Sequence, residues 1–410
     1  MKCKHRIVGI GARMLVFLCL SACSIALLSQ SSQLSISSLA VSVSDSLERF
    51  SQDKSNTRYI DGPYIFRNRK ENTVLKVAKK GSQTQIIEEV INSSDDYHFT
   101  CTVDNEDRDR FTFKLREKLK SPKAMYKQPE KLLAISDIEG NFNAFYSLLL
   151  SNGVINKDFD WTYGNGHLVL IGDFVDRGKN VTQVLWLIYK LEQEAERHGG
   201  VVHFILGNHE ILSLEGSPNY AADKYIALAQ EYFGEENKKK AYHSLMDKNR
   251  ELVRWLKTKN AVEKIGNTLF VHAGISPQLI NSRLSIVQIN KIIRRRLMSG
   301  PSNDMHDKMD EDFLFASLGP LWYRGMAIPF RNQYVKMKES EVDRVLGYFN
   351  VKNIAIGHTI AEKVKTDYNG KVIRTDVKHA LEKFAPETQG LLIENDTLYR
   401  VDGKGNKMKL

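Results

Sequence analysis

Cysteine is nearly missing from the body of this chain. Of four cysteines in 410 residues, Cys3, Cys19 and Cys23 fall in the first 23 positions and only Cys101 lies beyond them. A lone thiol cannot close an internal bridge, so the fold is not a disulfide scaffold, and a Cys-based zinc site is excluded on the same ground. Cys101, in HFTCTV, reads as a half-buried strand residue and not as a nucleophile. Long apolar runs are also scarce. Met14–Leu28 is the only one of any length, which excludes a polytopic membrane protein. Charge of one sign does not dominate: Lys2, Lys4, Arg6 and Arg13 supply four of the net +10 and leave +6 for the rest. That excess is too small to argue for nucleic acid, and no such partner is expected. The runs Lys238-Lys239-Lys240 and Arg294-Arg295-Arg296 sit in polar, helical surroundings and read as solvated faces. No internal repeat is present. A composition of 42% hydrophobic and 26% charged residues is that of an ordinary globular chain, not of a disordered, coiled-coil or collagen-like one.

Residues 1–28 read as an export leader. A basic segment is followed by fifteen uncharged, mostly apolar residues, short of the ~20 that span a bilayer, and then by a Ser-rich tether over 29–57. Leu20-Ser21-Ala22-Cys23 resembles a bacterial lipoprotein box, although Ile25-Ala26-Leu27-Leu28 stays apolar where a polar tether is usual. Lipidation, plain cleavage and an uncleaved anchor all remain open. The leader points outside the cytoplasm, to a protein anchored to a membrane through leader or lipid and facing the periplasm or exterior.

Residues 58–128 read as a small β-rich module: YIFRN, TVLKVAKK, HFTCTV and RFTFKL alternate like strands between turn residues. From 129 to 410 the texture changes. Short apolar strands (KLLAIS, HLVLIGD, VVHFILGN, TLFVHAG, NIAIGH) alternate with helical stretches at Asn143–Leu150, Val181–His198, Asp223–Phe233 and Lys238–Thr258. KVIRTDV, GLLIEN and TLYRVD close the chain as consecutive strands. This order argues for a layered α/β domain.

Five strand ends carry chemistry: Ser136-Asp137-Ile138-Glu139-Gly140-Asn141, Gly172-Asp173-Phe174-Val175-Asp176-Arg177-Gly178, Gly207-Asn208-His209-Glu210, Val271-His272-Ala273-Gly274 and Gly357-His358-Thr359. Turns alone do not explain five such segments, each with glycine beside Asp, Asn or His. Asp, Asn and His without Cys suit Mn²⁺, Fe²⁺ or Zn²⁺. A carboxylate can bridge two such ions about 3.5–4 Å apart, and a water between them becomes a nucleophile near neutral pH. Arg177 and Arg324 are placed to hold phosphate by forked hydrogen bonds.

At these residues the sequence resembles the calcineurin-like metallophosphoesterase superfamily, in a bacterial form of its serine/threonine protein phosphatase branch. GDFVDRG, GNHE, FVHAGISP, IGHT and GPLWYRG carry the likeness, which spans about Ile135–Asp376. It implies an α/β fold, a four-layer αββα sandwich with the small β-rich extension in front. It also implies two divalent metal ions, with Asp137, Glu139, Asp173, Asn208, His272 and His358 as ligands and Asp173 bridging. His209 would be the general acid, oriented by Asp176, and Arg177 and Arg324 would clamp the phosphate of a phosphorylated substrate. Asp376 is left outside the set, because its context departs from the family at Lys378-His379.

One motif departs from the pattern: where the family has Asp-x-His-Gly, this chain has Asp137-Ile138-Glu139-Gly140. As a ligand, Glu139 would lower the charge of two dications and their carboxylates from +2 to +1, favouring the harder Mn²⁺ or Mg²⁺ over Zn²⁺. The expected activity is metal-dependent hydrolysis of phosphomonoesters, phosphoprotein side chains first. Hydrolysis of dinucleoside polyphosphates or other nucleotides is the alternative enzyme reading, and a non-catalytic surface binding protein is the alternative from another class.

Overall fold

The computed structural model describes residues 59–80, 83–93, 96–329 and 335–410. The expected leader and tether lie outside the described residues. In chain order the strands are β1 (Asp61–Arg67), β2 (Glu71–Lys80), β3 (Gln83–Asn92), β4 (Phe99–Thr102), β5 (Arg110–Phe113), β6 (Met125–Tyr126), β7 (Lys131–Ile135), β8 (His167–Ile171), β9 (Val201–Ile205), β10 (Val262–Ile265), β11 (Thr268–Val271), β12 (Asn353–Ile356), β13 (Lys365–Asp367), β14 (Val372–Arg374), β15 (Gln389–Glu394), β16 (Thr397–Asp402) and β17 (Lys407–Lys409). The helices are α1 (Phe142–Ser151), α2 (Val181–Arg197), α3 (Asn208–Leu214), α4 (Asp223–Phe233), α5 (Lys238–Leu245), α6 (Glu251–Leu256), α7 (Pro277–Asn281), α8 (Ile286–Ser299), α9 (Met305–Phe315) and α10 (Glu339–Phe349). Among the described residues no helix is long and apolar enough to cross a membrane.

Two six-stranded sheets form the centre, ordered β17-β16-β15-β7-β8-β9 and β13-β14-β12-β11-β10-β6. Period-two alternation decides which side chains meet. Leu132 and Ala134 of β7, Val169 and Ile171 of β8, Phe270 of β11 and Ala355 of β12 share one buried cluster between the sheets. Their neighbours Leu133, Ile135, Leu168, Leu170, Leu269, Val271, Ile354 and Ile356 belong to the larger core on the helix-covered faces. Strands buried on both faces read in sequence as unbroken apolar runs, which is how KLLAI and HLVLI look. The expected αββα sandwich is the observed one.

β7, β8 and β9 run parallel, as do β11, β12 and β14. Each parallel set therefore delivers its strand-end loops at one edge. The two edges are tied together: the His272 ring Nδ1–H donates to the Ile171 carbonyl (2.8 Å), and the His358 backbone N–H to the Asp137 carboxylate (3.1 Å).

The antiparallel sheet β1-β2-β3 and the β4-β5 hairpin precede this sandwich. Trp186 of α2 donates to the Pro63 carbonyl (2.8 Å) and stacks on Phe113 with ring centroids 4.1 Å apart. Residues 58–410 form one compact unit. Cys101 lies in β4 as expected but is fully buried, and burial pushes its thiol up.

One strand is not legible in the sequence, and one expectation is corrected. β3 had no signal, because QTQIIEEVIN pairs Ile86 with Ile87 and Glu88 with Glu89 and breaks alternation; its register with β2 supplies what its sequence does not. The single helix read over Lys238–Thr258 is two, α5 and α6. Asn249 turns back on the Asp247 carboxylate (2.7 Å), and its carbonyl accepts from the Arg67 N–H at the end of β1 (2.8 Å), so a distant strand captures the backbone that would have continued the helix.

Candidate active site

The loops after β7, β8, β9, β11 and β12 converge. Six residues in them adopt left-handed backbone: Asp137 (φ 54°), Glu139 (φ 49°), Asp173 (φ 58°), Asp176 (φ 67°), Arg177 (φ 56°) and His358 (φ 62°). Non-glycine residues held there are strained, and such strain collects where side chains must be aimed. Two glycines make the convergence fit. A Cβ on Gly207 would stand 2.2 Å from Asp173 Oδ1, and one on Gly357 would stand 2.4 Å from Asp137 Oδ2.

Asp173, His272 and His358, all buried, bring their ligand atoms within 4.8 Å of one another. The hydrogen bonding fixes their chemistry. His272 gives its Nδ1 proton to Ile171, which leaves Nε2 to share a proton with Asp173 or, once that proton is displaced, to bind a metal ion. That Nε2 lies 3.1 Å from Asp173 Oδ2, 3.0 Å from Asn208 Oδ1 and 3.2 Å from His358 Nδ1. His358 Nε2 is itself buried without a hydrogen-bond partner. Asp173 and Asn208 thus turn oxygen acceptors on one point of a dry site, where positive charge must sit, either a proton on His272 or a metal ion that displaces it.

The titration behaviour has the same cause. Burial opposes the charge on His272, yet Asp173 overrides it and pushes the imidazole up to about 10. Burial likewise works against the Asp173 carboxylate, but His272 and then His209 hold it well below the usual carboxylate range. Asp137 is pushed up to about 6 by burial and by Asp173. Asp376 is pushed far up by burial and then by Asp137. His358 is driven down by burial, then by His272 and Arg324. Buried carboxylates crowded this way are charge-deficient, and the donor set Asp, Asn and His fits divalent ions.

Beside this group stands a dyad. His209 Nδ1 lies 2.8 Å from Asp176 Oδ2, and Ser213 Oγ donates to Asp176 Oδ1 (3.1 Å). Burial opposes protonation of His209, but Asp173 and the Asp176 bond raise its pKa. Its Nε2 faces Arg177 Nη2 at 3.3 Å. Tyr220, 47% exposed, packs edge-on to His209 at 4.8 Å between centroids, and its carbonyl accepts from the Arg177 backbone N–H (2.8 Å). Arg324 donates through Nη1 to the His358 carbonyl and to Thr359 Oγ1 (3.1 Å).

The structure thus brings Asp173, Asn208, His272 and His358 into one cage, with Asp137 against it and His209, Asp176, Arg177 and Arg324 around it. Glu139 is placed differently from the expectation. Its carboxylate forms an ion pair with Arg177, outside the group of converging ligand atoms.

Three contributors escaped the sequence reading. Glu210 is fully buried and accepts from the backbone N–H groups of Asp173 (2.9 Å), Phe174 (2.8 Å), Val175 (3.3 Å) and Gly207 (2.7 Å). Its place three residues after Gly207, where an N3 glutamate reaches back to the N-cap N–H as in half of a capping box, is the signal that could have found it. Ser213 lies one helical turn past His209 and carries no pattern of its own. Trp322, with its ring 6.0 Å from that of His358, lies in the GPLWYRG segment that was quoted for Arg324 alone.

The pattern of the calcineurin-like phosphoesterases matches residues 130–362, the span that holds every one of these loops. The chain belongs to that family. This phosphoesterase is similar to the Shewanella-like protein phosphatase 1 of Plasmodium berghei, 31% identical over 231 residues, which cover 56% of this chain and 61% of that relative. It is also similar to the solved cold-active protein-tyrosine phosphatase of a psychrophilic Shewanella species (TM-score 0.71, 29% identity), covering 86% of this phosphoesterase and 99% of that chain. The symmetrical bis(5'-nucleosyl)-tetraphosphatase of Neisseria meningitidis is 29% identical over 150 residues, 35% of this chain and 44% of that one. The family uses divalent metals and acts on phosphorylated substrates.

Proposed function

We propose that the protein is a metal-dependent phosphatase that hydrolyses phosphomonoesters, with phosphoprotein side chains as its substrates. The observation that carries this reading is the His209–Asp176 dyad standing beside the acceptor cage. A pure binding protein has no use for an oriented proton donor.

Bound divalent ions would supply Lewis acidity for the phosphoryl oxygens and a water of lowered pKa. Asp173, Asn208, His272 and His358 would hold them, with Asp137 alongside. The crowding of Asp137 and Asp173 favours two ions, and the mixed set of oxygen and imidazole donors fits Mn²⁺. The remaining work falls to the chain itself. His209, whose pKa Asp173 and Asp176 raise, delivers a proton from Nε2 to the leaving oxygen once substrate phosphate draws Arg177 away from that nitrogen, while Asp176 fixes the ring and steadies its charge. Arg177 and Arg324 bind the equatorial oxygens, where charge grows in the transition state. Tyr220 offers an exposed aromatic edge next to the leaving-group acid, which suits an aryl phosphate such as phosphotyrosine. The protein-tyrosine phosphatase resemblance points the same way.

The test is turnover of p-nitrophenyl phosphate, a phosphotyrosine and phosphoserine peptide panel and diadenosine tetraphosphate by Mn²⁺-loaded wild type and His209→Ala. Hydrolysis of phosphopeptides, lost in His209→Ala, supports the reading. Preference for the dinucleotide moves the function to nucleotide hydrolysis, and inertness of wild type leaves only binding. We further propose export and membrane anchoring through residues 1–28; protease accessibility on intact cells tests it, and full protection would contradict it.

A further inference from the structure

The phosphate-binding fork of Arg177 is already engaged. Its guanidinium pairs with Glu139, and its Nη2 rests near His209 Nε2. The pair is built by the backbone. The Glu139 N–H donates to the Asp173 carbonyl (2.9 Å), Gly140 to Phe174 (3.0 Å), Gly178 to the Glu139 carbonyl (2.8 Å) and Asn180 to Gly140 (3.2 Å). These four bonds zip the loop after β7 to the loop after β8. A Cβ on Gly178 would lie 2.2 Å from the Glu139 carbonyl, so the two loop backbones touch and keep the Glu139 and Arg177 side chains neighbours, while the carboxylate itself stays free to swing. The side chains of Arg177 and Glu139 are 35% and 18% exposed, so the pair is open to an incoming anion.

We propose that Glu139 is a positioning residue that holds Arg177 and competes with substrate phosphate for its guanidinium, instead of serving as a metal ligand. The proposal rests on the phosphatase reading above. A carboxylate and a phosphate offer the same pair of acceptor oxygens to the same fork. A phosphate dianion carries more charge and displaces the carboxylate. After hydrolysis Glu139 returns to Arg177 and helps expel inorganic phosphate. In the resting protein the same pair keeps the guanidinium in place instead of leaving it to wander in solvent.

The experiment compares wild type, Glu139→Gln, Glu139→Asp, Arg177→Ala and the Glu139→Gln/Arg177→Ala double variant. Inorganic phosphate binding to the Mn²⁺-loaded proteins is measured by calorimetry, metal content by mass spectrometry, and KM and kcat separately. Glu139→Gln keeps the wild-type metal content, binds phosphate about three- to tenfold more tightly, and lowers KM and kcat together. Glu139→Asp, which keeps the charge, stays near wild type in phosphate affinity. Without Arg177 the Glu139→Gln change leaves phosphate affinity unaltered. Loss of a metal equivalent in Glu139→Gln, weaker phosphate binding, or the same gain in the Arg177→Ala background would each overturn the proposal. An inactive wild type would sink the phosphatase reading alone, because metal content and phosphate binding judge Glu139 without turnover.

Discussion

Replacing Glu210 by glutamine keeps the size of the side chain and changes what it can accept. In the native protein Oε1 takes the N–H groups of Phe174 and Val175, and Oε2 takes those of Asp173 and Gly207. Glutamine keeps one accepting oxygen and turns an NH₂ toward the other pair. The contact at 3.3 Å to Val175 is the weakest, so the amide sacrifices the Phe174 and Val175 side. Two buried donors then face a donor. At about 1–3 kcal/mol for each unsatisfied group, with one of the two already weak, the cost is about 2–4 kcal/mol. For a unit of this size that lowers Tm by about 3–5 °C. The loss falls on the segment that carries Asp173, so affinity for metal falls with it. Calorimetric unfolding with and without Mn²⁺, together with a Mn²⁺ titration, reads both effects. A Tm within 2 °C of wild type, as an approximate threshold, combined with unchanged metal affinity would refute the claim that Glu210 organises the loop.

Other consequences are open to direct test. Asp176→Asn removes the partner that helps raise the His209 pKa. Activity needs protonated His209 and is lost as pH rises through its pKa, so the alkaline limb of the kcat profile moves to lower pH and kcat falls about 10- to 100-fold; an unmoved limb contradicts the general-acid role. Gly357→Ala drives a methyl into the Asp137 carboxylate. It is expected to abolish metal-dependent turnover while circular dichroism stays native, and full activity would deny the close approach. Glu192 accepts from Lys259 (2.6 Å) and, despite burial, its carboxyl is held low by Lys259 and Arg116. Its stabilising contribution is therefore complete above the unfolded carboxyl pKa and fades as pH falls through the lower folded value. Glu192→Gln leaves the Lys259 ammonium buried, which costs about 2–4 kcal/mol at pH 7 by urea unfolding. The gap to wild type narrows below pH about 4, and a gap constant with pH would contradict the pairing.

How much of this was legible in the sequence depends on whether the information is local. Strand ends followed by Asp, Asn or His with glycine are local signals, and they located the cage, the dyad and Arg177, whereas Arg324 was legible only through the family likeness of GPLWYRG. The unbroken apolar runs of doubly buried strands were equally plain in KLLAI and HLVLI. What stayed hidden depends on distant partners. Glu139 reads as a metal ligand from its motif, yet its carboxylate is claimed by Arg177, a residue 38 positions on, through the zipped loops. The break between α5 and α6 needs the end of β1. Glu210 looks like part of a motif, but its four backbone donors come from two separate loops. Asp376 was set aside because its neighbours departed from the family pattern; it is buried, and burial and the charge of Asp137 push its carboxyl far up.

The central claim is that Asp173, Asn208, His272 and His358 form a cage for cations. Anomalous diffraction from crystals soaked in Mn²⁺ tests it most directly. The account predicts a manganese peak enclosed by Asp173 Oδ2, Asn208 Oδ1, His272 Nε2 and the His358 ring. Peaks confined to other parts of the surface, or none in crystals whose protein hydrolyses phosphate esters, would contradict it.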